Sequence, residues 1–251
     1  MKTLCDYHVH TAFSDGRNTP EEMVLSAIEK GLKEIGFSDH SYTFFDESYC
    51  IKKDKIKEYK CEIVRLKEKY AGKIKILCGI EQDFYSTESV SGYDYAIGSV
   101  HYVKKGEKYL AVDENAEDFI CKTKRYYDGD YYAFCKDYFD TVVKFAERKE
   151  IKIIGHFDLI TKYNEGYALF SESDPRYLSA WQSAADKLIA AGKTFEINTH
   201  ALKNGLKTQP YPSDEIMAYI KTKGGKFILS SDSHNRYALC FGFDKYEYRA
   251  I

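Results

Sequence analysis

Leu4-Cys5-Asp6-Tyr7-His8-Val9-His10 is a strand-like run, and the helix that follows it is announced by Thr19-Pro20-Glu21-Glu22 and stopped at Gly31. Thr19 with Glu22 forms a capping box, Pro20 occupies the first helical position where its missing N–H costs nothing, and Met23, Ala27 and Ile28 keep helical spacing. This is one strand-then-helix unit. The same alternation repeats to the end of the chain, with candidate strands at Leu4 to His10, Glu34 to Ser38, Lys75 to Glu81, Tyr95 to His101, Ile151 to His156, Thr194 to Asn198 and Lys226 to Ser231. Strands separated by helices predict a parallel sheet with helices outside it.

The 251 residues are within reach of a single α/β barrel, and no repeat, low-complexity tract or linker divides them, so residues 1–251 read as one domain. Ile56, Tyr59, Ile63, Leu66 and Tyr70 form an apolar helical stripe, which makes the Lys-rich stretch around them a solvated helix face. The longest interval between strands, Tyr102 to about Lys149, carries Tyr126, Tyr127, Tyr131, Tyr132 and Phe134, and predicts an elaborated loop with helices over one face of the barrel.

Lys plus Arg at 37 against Asp plus Glu at 39 leaves a net charge of −2, which disfavours nucleic acid as a partner. The apolar runs are too short for a membrane span, and Met1 to His10 lacks the apolar region of a signal peptide, so a cytoplasmic protein is expected. Seven cysteines without a C-x-x-C pair fit free thiols in a reducing compartment, with Cys5 and Cys78 packing in strands. Homo-oligomerisation is left open.

Polar residues fall at the carboxyl ends of the candidate strands. His8 and His10 end the first, Asp39 and His40 the second, Glu81 the third, His101 the fourth, His156 with Asp158 the fifth, Glu196 and Asn198 the sixth, Asp232 and His234 the seventh. Closing parallel strands into a barrel brings those ends to one rim. Six of the seven histidines, all but His200, therefore converge beside carboxylates, a donor set suited to Zn, Mn or Fe. His8 and His10 are two apart in a strand and point to one side, while Val9 packs behind them. Asp39 should point away from His40 and act by hydrogen bonding, and Glu81, the charged end of an apolar strand, could bridge two cations with its two oxygens.

The runs Asp6-Tyr7-His8-Val9-His10-Thr11 with Asp15-Gly16, Phe37-Ser38-Asp39-His40, Gly79-Ile80-Glu81, Gly98-Ser99-Val100-His101, Gly155-His156-Phe157-Asp158, Glu196-Ile197-Asn198-Thr199 and Ser230-Ser231-Asp232-Ser233-His234 resemble the successive motifs of the polymerase and histidinol phosphatase (PHP) family. Their order and spacing are closest to its histidinol-phosphatase branch, from about residue 4 to 240. The resemblance implies a distorted (β/α)7 TIM-like barrel with three divalent metal ions at the carboxyl rim. It would place His8, His10, Glu81 and Asp232 on one ion, Glu81, His101 and His156 on a second, and Asp15, His40 and His234 on the third. Catalytic roles fall to Glu81, Asp232 and His234, with Asp39, Asp158, Glu196 and Asn198 orienting the ligands.

The implied reaction is hydrolysis of a small phosphorylated substrate, L-histidinol phosphate, by a hydroxide held between metals. Asp15 stands where many members have histidine. After Glu-Ile-Asn-Thr the branch usually runs Ser-Gly-Leu-Arg, and here the chain has His200-Ala201-Leu202-Lys203; an arginine often found near Thr161 or Lys162 is also replaced. Lysine keeps the charge but loses the bidentate grip on phosphate. Lys203, Lys162 and His200 are thus the expected substrate contacts, and Asp46, Glu47, Phe44 or Tyr85 could read the ammonium and imidazole of the substrate. The alternatives are a phosphoesterase for another small monoester, a nuclease releasing nucleotides, and a metal-stabilised scaffold without catalysis; the last predicts missing ligands, and none is missing.

Overall fold

The computed structural model describes residues 4–203 and 205–246. Four parallel strands, β1 (Cys5–Asp6), β2 (Glu34–Phe37), β3 (Lys75–Asp83) and β4 (Tyr95–Ser99), precede an antiparallel hairpin of β5 (Tyr102–Lys105) and β6 (Lys108–Ala111). Three more parallel strands follow, β7 (Ile153–Ile154), β8 (Thr194–Asn198) and β9 (Lys226–Ser230). The seven parallel strands lie side by side in chain order, β1-β2-β3-β4-β7-β8-β9. The barrel is nearly closed: the parallel sheet is the one that the alternation of elements predicts, and its distorted (β/α)7 form is the one that the resemblance implies.

The seam between β1 and β9 explains the distortion. Among the described residues no regular ladder joins them below the rim; the Asp6 carboxylate stands in, accepting from Ser231 N at 3.1 Å and Ser231 Oγ at 2.5 Å. Higher up, Val9 bridges Ser233, with His10 N donating to Ser233 O at 2.9 Å and Ser233 N to His8 O at 3.0 Å. These bonds fix His8 and His10 against the segment that carries Asp232 and His234. Strand β1 is accordingly shorter than the run Leu4 to His10, whose last residues pair through this isolated bridge. Strand β3 is longer than expected and carries Asp83 as well as Glu81.

Helix α1 (Pro20–Glu29) has the capping box read from the sequence: Thr19 Oγ1 accepts from Glu22 N, and Glu22 accepts from Thr19 N at 2.8 Å. Helix α2 (Ile56–Lys69) buries Tyr59, Ile63 and Leu66 and leaves its lysines in solvent. Helices α3 (Ala116–Tyr127) and α4 (Tyr131–Val142) fill the long interval after β6, with Phe134 stacked between Phe119 and Tyr127 at ring distances of 5.2 and 4.6 Å. Helix α5 (Pro175–Ala190) buries Trp181. The short α6 (His200–Lys203), then α7 (Asp214–Thr222) and α8 (Phe243–Tyr246), complete the layer. None of the described helices is long and apolar enough to cross a membrane.

Glycines on neighbouring strands make room for one large side chain. Tyr95 lies across Gly36 and Gly79, its hydroxyl donating to Tyr7 O at 2.6 Å. A Cβ on Gly79 would meet Tyr95 Cζ at 2.3 Å and Phe37 O at 2.7 Å, so β3 could accept it only by moving a strand. Gly79→Ala is therefore expected to destabilise the barrel by about 1 to 3 kcal/mol, the usual cost of overpacking. A lowered urea midpoint with an unchanged denaturant slope would show it.

Candidate metal centre

The carboxyl ends of the strands gather the predicted residues around Glu81. His8, His10, His40, Glu81, His101, His156 and Asp232 are buried, and Asp15 is open at the mouth, its side chain 34% exposed. Glu81 Oε1 lies 3.0 Å from His156 Nε2 and 3.5 Å from His101 Nε2. Its other oxygen, Oε2, lies 2.7 Å from His40 Nδ1, 3.3 Å from His8 Nε2 and 3.6 Å from His10 Nε2. Five imidazoles, from three strand ends and the chain after β1, thus share one carboxylate. Asp232 adds a second, Oδ1 lying 3.1 Å from His10 Nε2 and 3.7 Å from His8 Nε2. At the mouth, Asp15 faces His234 Nε2 at 3.3 Å and His40 Nε2 at 3.7 Å.

Hydrogen bonds behind the donors fix their tautomers. Glu196 Oε1 lies 2.5 Å from His8 Nδ1, so that nitrogen carries a proton and Nε2 is the one turned into the cluster, toward Glu81 and Asp232. Asp83 Oδ2 does the same for His101 Nδ1 at 3.3 Å. The Asp232 carbonyl can only accept, so His234 Nδ1 at 3.0 Å and His200 Nδ1 at 2.7 Å both donate to it. Asn198 Nδ2 ties Glu196 Oε2 to Asp232 Oδ2 at 2.9 and 3.0 Å. Asp39 turns away from His40, as alternation requires, and accepts from Thr11 N at 2.7 Å and Ser14 Oγ at 2.6 Å, bracing the turn that carries Asp15. Asp158 is buried in the wall of the barrel and accepts from Ser213 N at 3.0 Å.

The arrangement suits cations on two grounds. Among the described residues, His8 Nε2, both ring nitrogens of His10, Glu81 Oε2 and Asp232 Oδ1 are buried without a hydrogen-bond partner, a cost of about 1 to 3 kcal/mol for each group that coordination would remove. Donor atoms also fall into compact sets: His8, His10 and Asp232; His40, Glu81 and His101; His10, Asp15, His40 and His234; and His200, Asp232 and His234. His40 sits between the two sets that the resemblance separates. His200 stands at the edge of the cluster, which no strand-end pattern indicated.

The electrostatics follow from this crowding. Burial opposes ionisation of Glu81, but His40, His8 and His101 outweigh it and hold the carboxyl well below its ordinary range. Burial likewise opposes charge on His40, but Glu81 and Asp15 push it up to about 9. His234 is also pushed up to about 9, burial being outweighed by Asp15 and Asp232. His10 is driven down to about 3 by burial and by the charges of His234 and His40.

A cleft of about 960 Å³ opens over the cluster. Lys203 lines it, its ammonium 3.4 Å from Asn235 Oδ1. Lys162 also lines it but is held by Asp113, at 2.9 Å from the carbonyl and 3.3 Å from Oδ2. Asp46 is in the wall, whereas Glu47, Phe44 and Tyr85 lie outside the lining. Sequence reasoning missed Asp83, although it is two residues beyond Glu81 and in phase with it. It also missed Arg17, which lines the mouth after the turn at Asp15 and carries no motif signal of its own.

A nearly closed parallel barrel with such a cluster at its carboxyl rim belongs with the metal-binding α/β barrels. More narrowly, the chain belongs to the PHP domain family, which it matches over residues 6–200. It is 32% identical over 93% of its length to a histidinol-phosphatase of Lactococcus lactis, covering 85% of that protein. A crystal structure of histidinol phosphate phosphatase from Lactococcus lactis, complexed with zinc, L-histidinol and phosphate, superposes with a TM-score of 0.69 at 27% identity, covering 93% of this chain and 87% of that one. The fold is shared also with a crystal structure from Listeria monocytogenes, TM-score 0.82 at 21% identity, over 96% of this chain and 99% of that chain.

Proposed function

We propose that this chain is a metal-dependent phosphatase that hydrolyses L-histidinol phosphate to L-histidinol and phosphate. The observation that carries the reading is the buried Glu81, whose two oxygens face imidazoles of different strands while neighbouring donor atoms lack hydrogen-bond partners. Support comes from the Lactococcus lactis relative, whose structure holds zinc, L-histidinol and phosphate. The chain retains every donor that the family resemblance implies, which favours catalysis over a scaffold.

Three ions are assigned to the cluster. Bound there, divalent cations lower the pKa of coordinated water toward neutrality and offset the charge of the phosphoryl oxygens. His8, His10, Glu81 and Asp232 form the deepest set, His101 and His156 share the other oxygen of Glu81, and Asp15, His40 and His234 form the set at the mouth. Glu196, Asp83 and the Asp232 carbonyl keep His8, His101 and His234 in the tautomer that offers Nε2. Asp232 combines two duties, its side chain in the cluster and its carbonyl holding His200 and His234. Proton donation to the departing alkoxide is assigned to no residue.

Lys203 and Lys162 differ as phosphate contacts. The ammonium of Lys162 is neutralised by Asp113, whereas that of Lys203 faces a neutral amide oxygen, that of Asn235. Lys203→Ala is expected to lower kcat/KM by roughly 10-fold or more, the loss of one charge-assisted contact, with metal content unchanged. Lys162→Ala should stay within a few-fold. The function itself is tested by comparing kcat/KM on L-histidinol phosphate with sugar phosphates, nucleotides and an aryl phosphate after loading with zinc, manganese or iron. A preference for L-histidinol phosphate supports the reading, and a preference for nucleotides would replace it.

A further inference from the structure

The wall of the cleft opposite the barrel rim is built from the segment after β2 and the hairpin β5–β6, and it holds a carboxylate prepared for a ligand. Asp46 Oδ1 accepts from Ser48 N at 2.9 Å and Ser48 Oγ at 2.6 Å, and Oδ2 accepts from Tyr102 OH at 2.7 Å. Three donors fix the group, yet a carboxylate accepts about four hydrogen bonds, so acceptor capacity remains. None of the three donors is a cation. Two other acids lining the cleft are matched, Asp113 with Lys162 at 3.3 Å and Glu114 with Lys122 at 3.2 Å.

Aromatic rings frame this carboxylate. Phe45 stacks on Tyr109 at 3.9 Å with an interplanar angle of 3° and meets Tyr102 edge-on at 4.9 Å. Tyr49 stands between this wall and the metal centre, 6.1 Å from the Tyr102 ring, 4.9 Å from His40 and 6.1 Å from His101. Phe45, Asp46, Tyr49, Tyr102 and Tyr109 all line the cleft. A fixed anion among aromatic faces repels phosphate and favours a flat group that donates an N–H and carries partial positive charge.

In L-histidinol phosphate the ammonium sits one carbon from the ester carbon, and the imidazole lies farther along the chain. With phosphate at the metal donors, one aromatic layer separates the reacting end from Asp46, which suits the distant ring. Resting on the phosphatase reading above, we infer that Asp46, framed by Phe45, Tyr49, Tyr102 and Tyr109, is the specificity subsite that accepts the imidazole N–H of the leaving group. The phosphate end is common to many esters, so this wall is where discrimination arises.

The test uses the metal-loaded full chain and Asp46→Asn, which keeps an acceptor oxygen for Ser48 and loses the charge. For L-histidinol phosphate kcat/KM should fall roughly 10 to 100-fold, and the inhibition constant of L-histidinol should rise by a similar factor, as expected for one charge-assisted hydrogen bond. With p-nitrophenyl phosphate and O-phosphoethanolamine, which lack the imidazole N–H, kcat/KM should remain within about twofold, since neither makes that bond. Tyr102→Phe, which removes the hydroxyl positioning Asp46, should shift L-histidinol phosphate in the same direction by a smaller factor. Equal losses on all three esters would mean a distorted cleft and overturn the inference, as would no loss on any. A loss shared by L-histidinol phosphate and O-phosphoethanolamine alone would move the contact to the ammonium and overturn the imidazole assignment. Wild-type protein that turns over the aryl ester but not L-histidinol phosphate would instead refute the proposed substrate, before any variant is compared.

Discussion

Glu81→Gln is expected to reduce turnover by a few hundred to a few thousand-fold, roughly the 3 to 5 kcal/mol lost when one partner is removed from a buried charge pair. The carboxylate faces five imidazoles, two across Oε1 and three across Oε2. Glutamine supplies one neutral oxygen, and its amide nitrogen carries hydrogens that point at donors instead of accepting from them. The backbone should be spared. Glu81 is paired with Ile97 in the β3–β4 register and its N–H is bonded to Asp39 O at 3.1 Å, neither of which depends on the side chain. The outcome is read from kcat together with metal content and melting temperature. Loss of activity with loss of more than one equivalent of metal is expected. Activity within tenfold of wild type, with metals retained, would remove Glu81 from the bridging role.

Most of this centre was legible because parallel strands convert sequence position into spatial position. A residue at the carboxyl end of a strand arrives at the rim whatever its partners, so His8, His10, Glu81, His101, His156 and Asp232 could be grouped without knowing a single distance. Alternation along a strand further predicts that Asp39 faces away from His40, and it does so to brace the turn of Asp15. Asp83 lies beyond the apolar run Ile76 to Ile80 that marks β3 in the sequence, although the strand itself continues to it.

The contacts that stayed hidden depend on something other than strand phase. His200 reaches the cluster from α6, where its ring is held by the Asp232 carbonyl, a long-range contact that no local pattern encodes. The hairpin β5–β6 lies in the interval that read as loop and helix, since four-residue strands leave little periodicity. Its Tyr102 and Tyr109 meet Phe45 and Asp46 only in the folded chain. The identity of Lys162 as a paired side chain likewise rests on Asp113, 49 residues away.

Metal uptake is expected to release protons, at least two for a fully loaded protein at pH 7. His40 and His234 are both pushed up to about 9 by the carboxylates around them, so without metal each carries a proton on the nitrogens that a cation needs. His10, driven down to about 3, is already neutral and contributes none. Since metal and proton compete for the same lone pairs, apparent affinity should rise with pH, by roughly tenfold per unit for each displaced proton, and level off above about 9. Stability moves the opposite way in the metal-free protein. A histidine whose folded pKa is raised stabilises the fold fully below its unfolded value near 6.5 and loses that contribution as pH rises through about 9. The difference in melting temperature between metal-loaded and metal-free protein should therefore widen from pH 6.5 to 9. Calorimetric titration with zinc in buffers of different ionisation enthalpy counts the protons, and paired melting curves follow the stability. No proton release at pH 7, with an affinity that does not change with pH, would mean that His40 and His234 are neutral before metal arrives and that the carboxylates, not imidazolium, set the charge of the empty cluster.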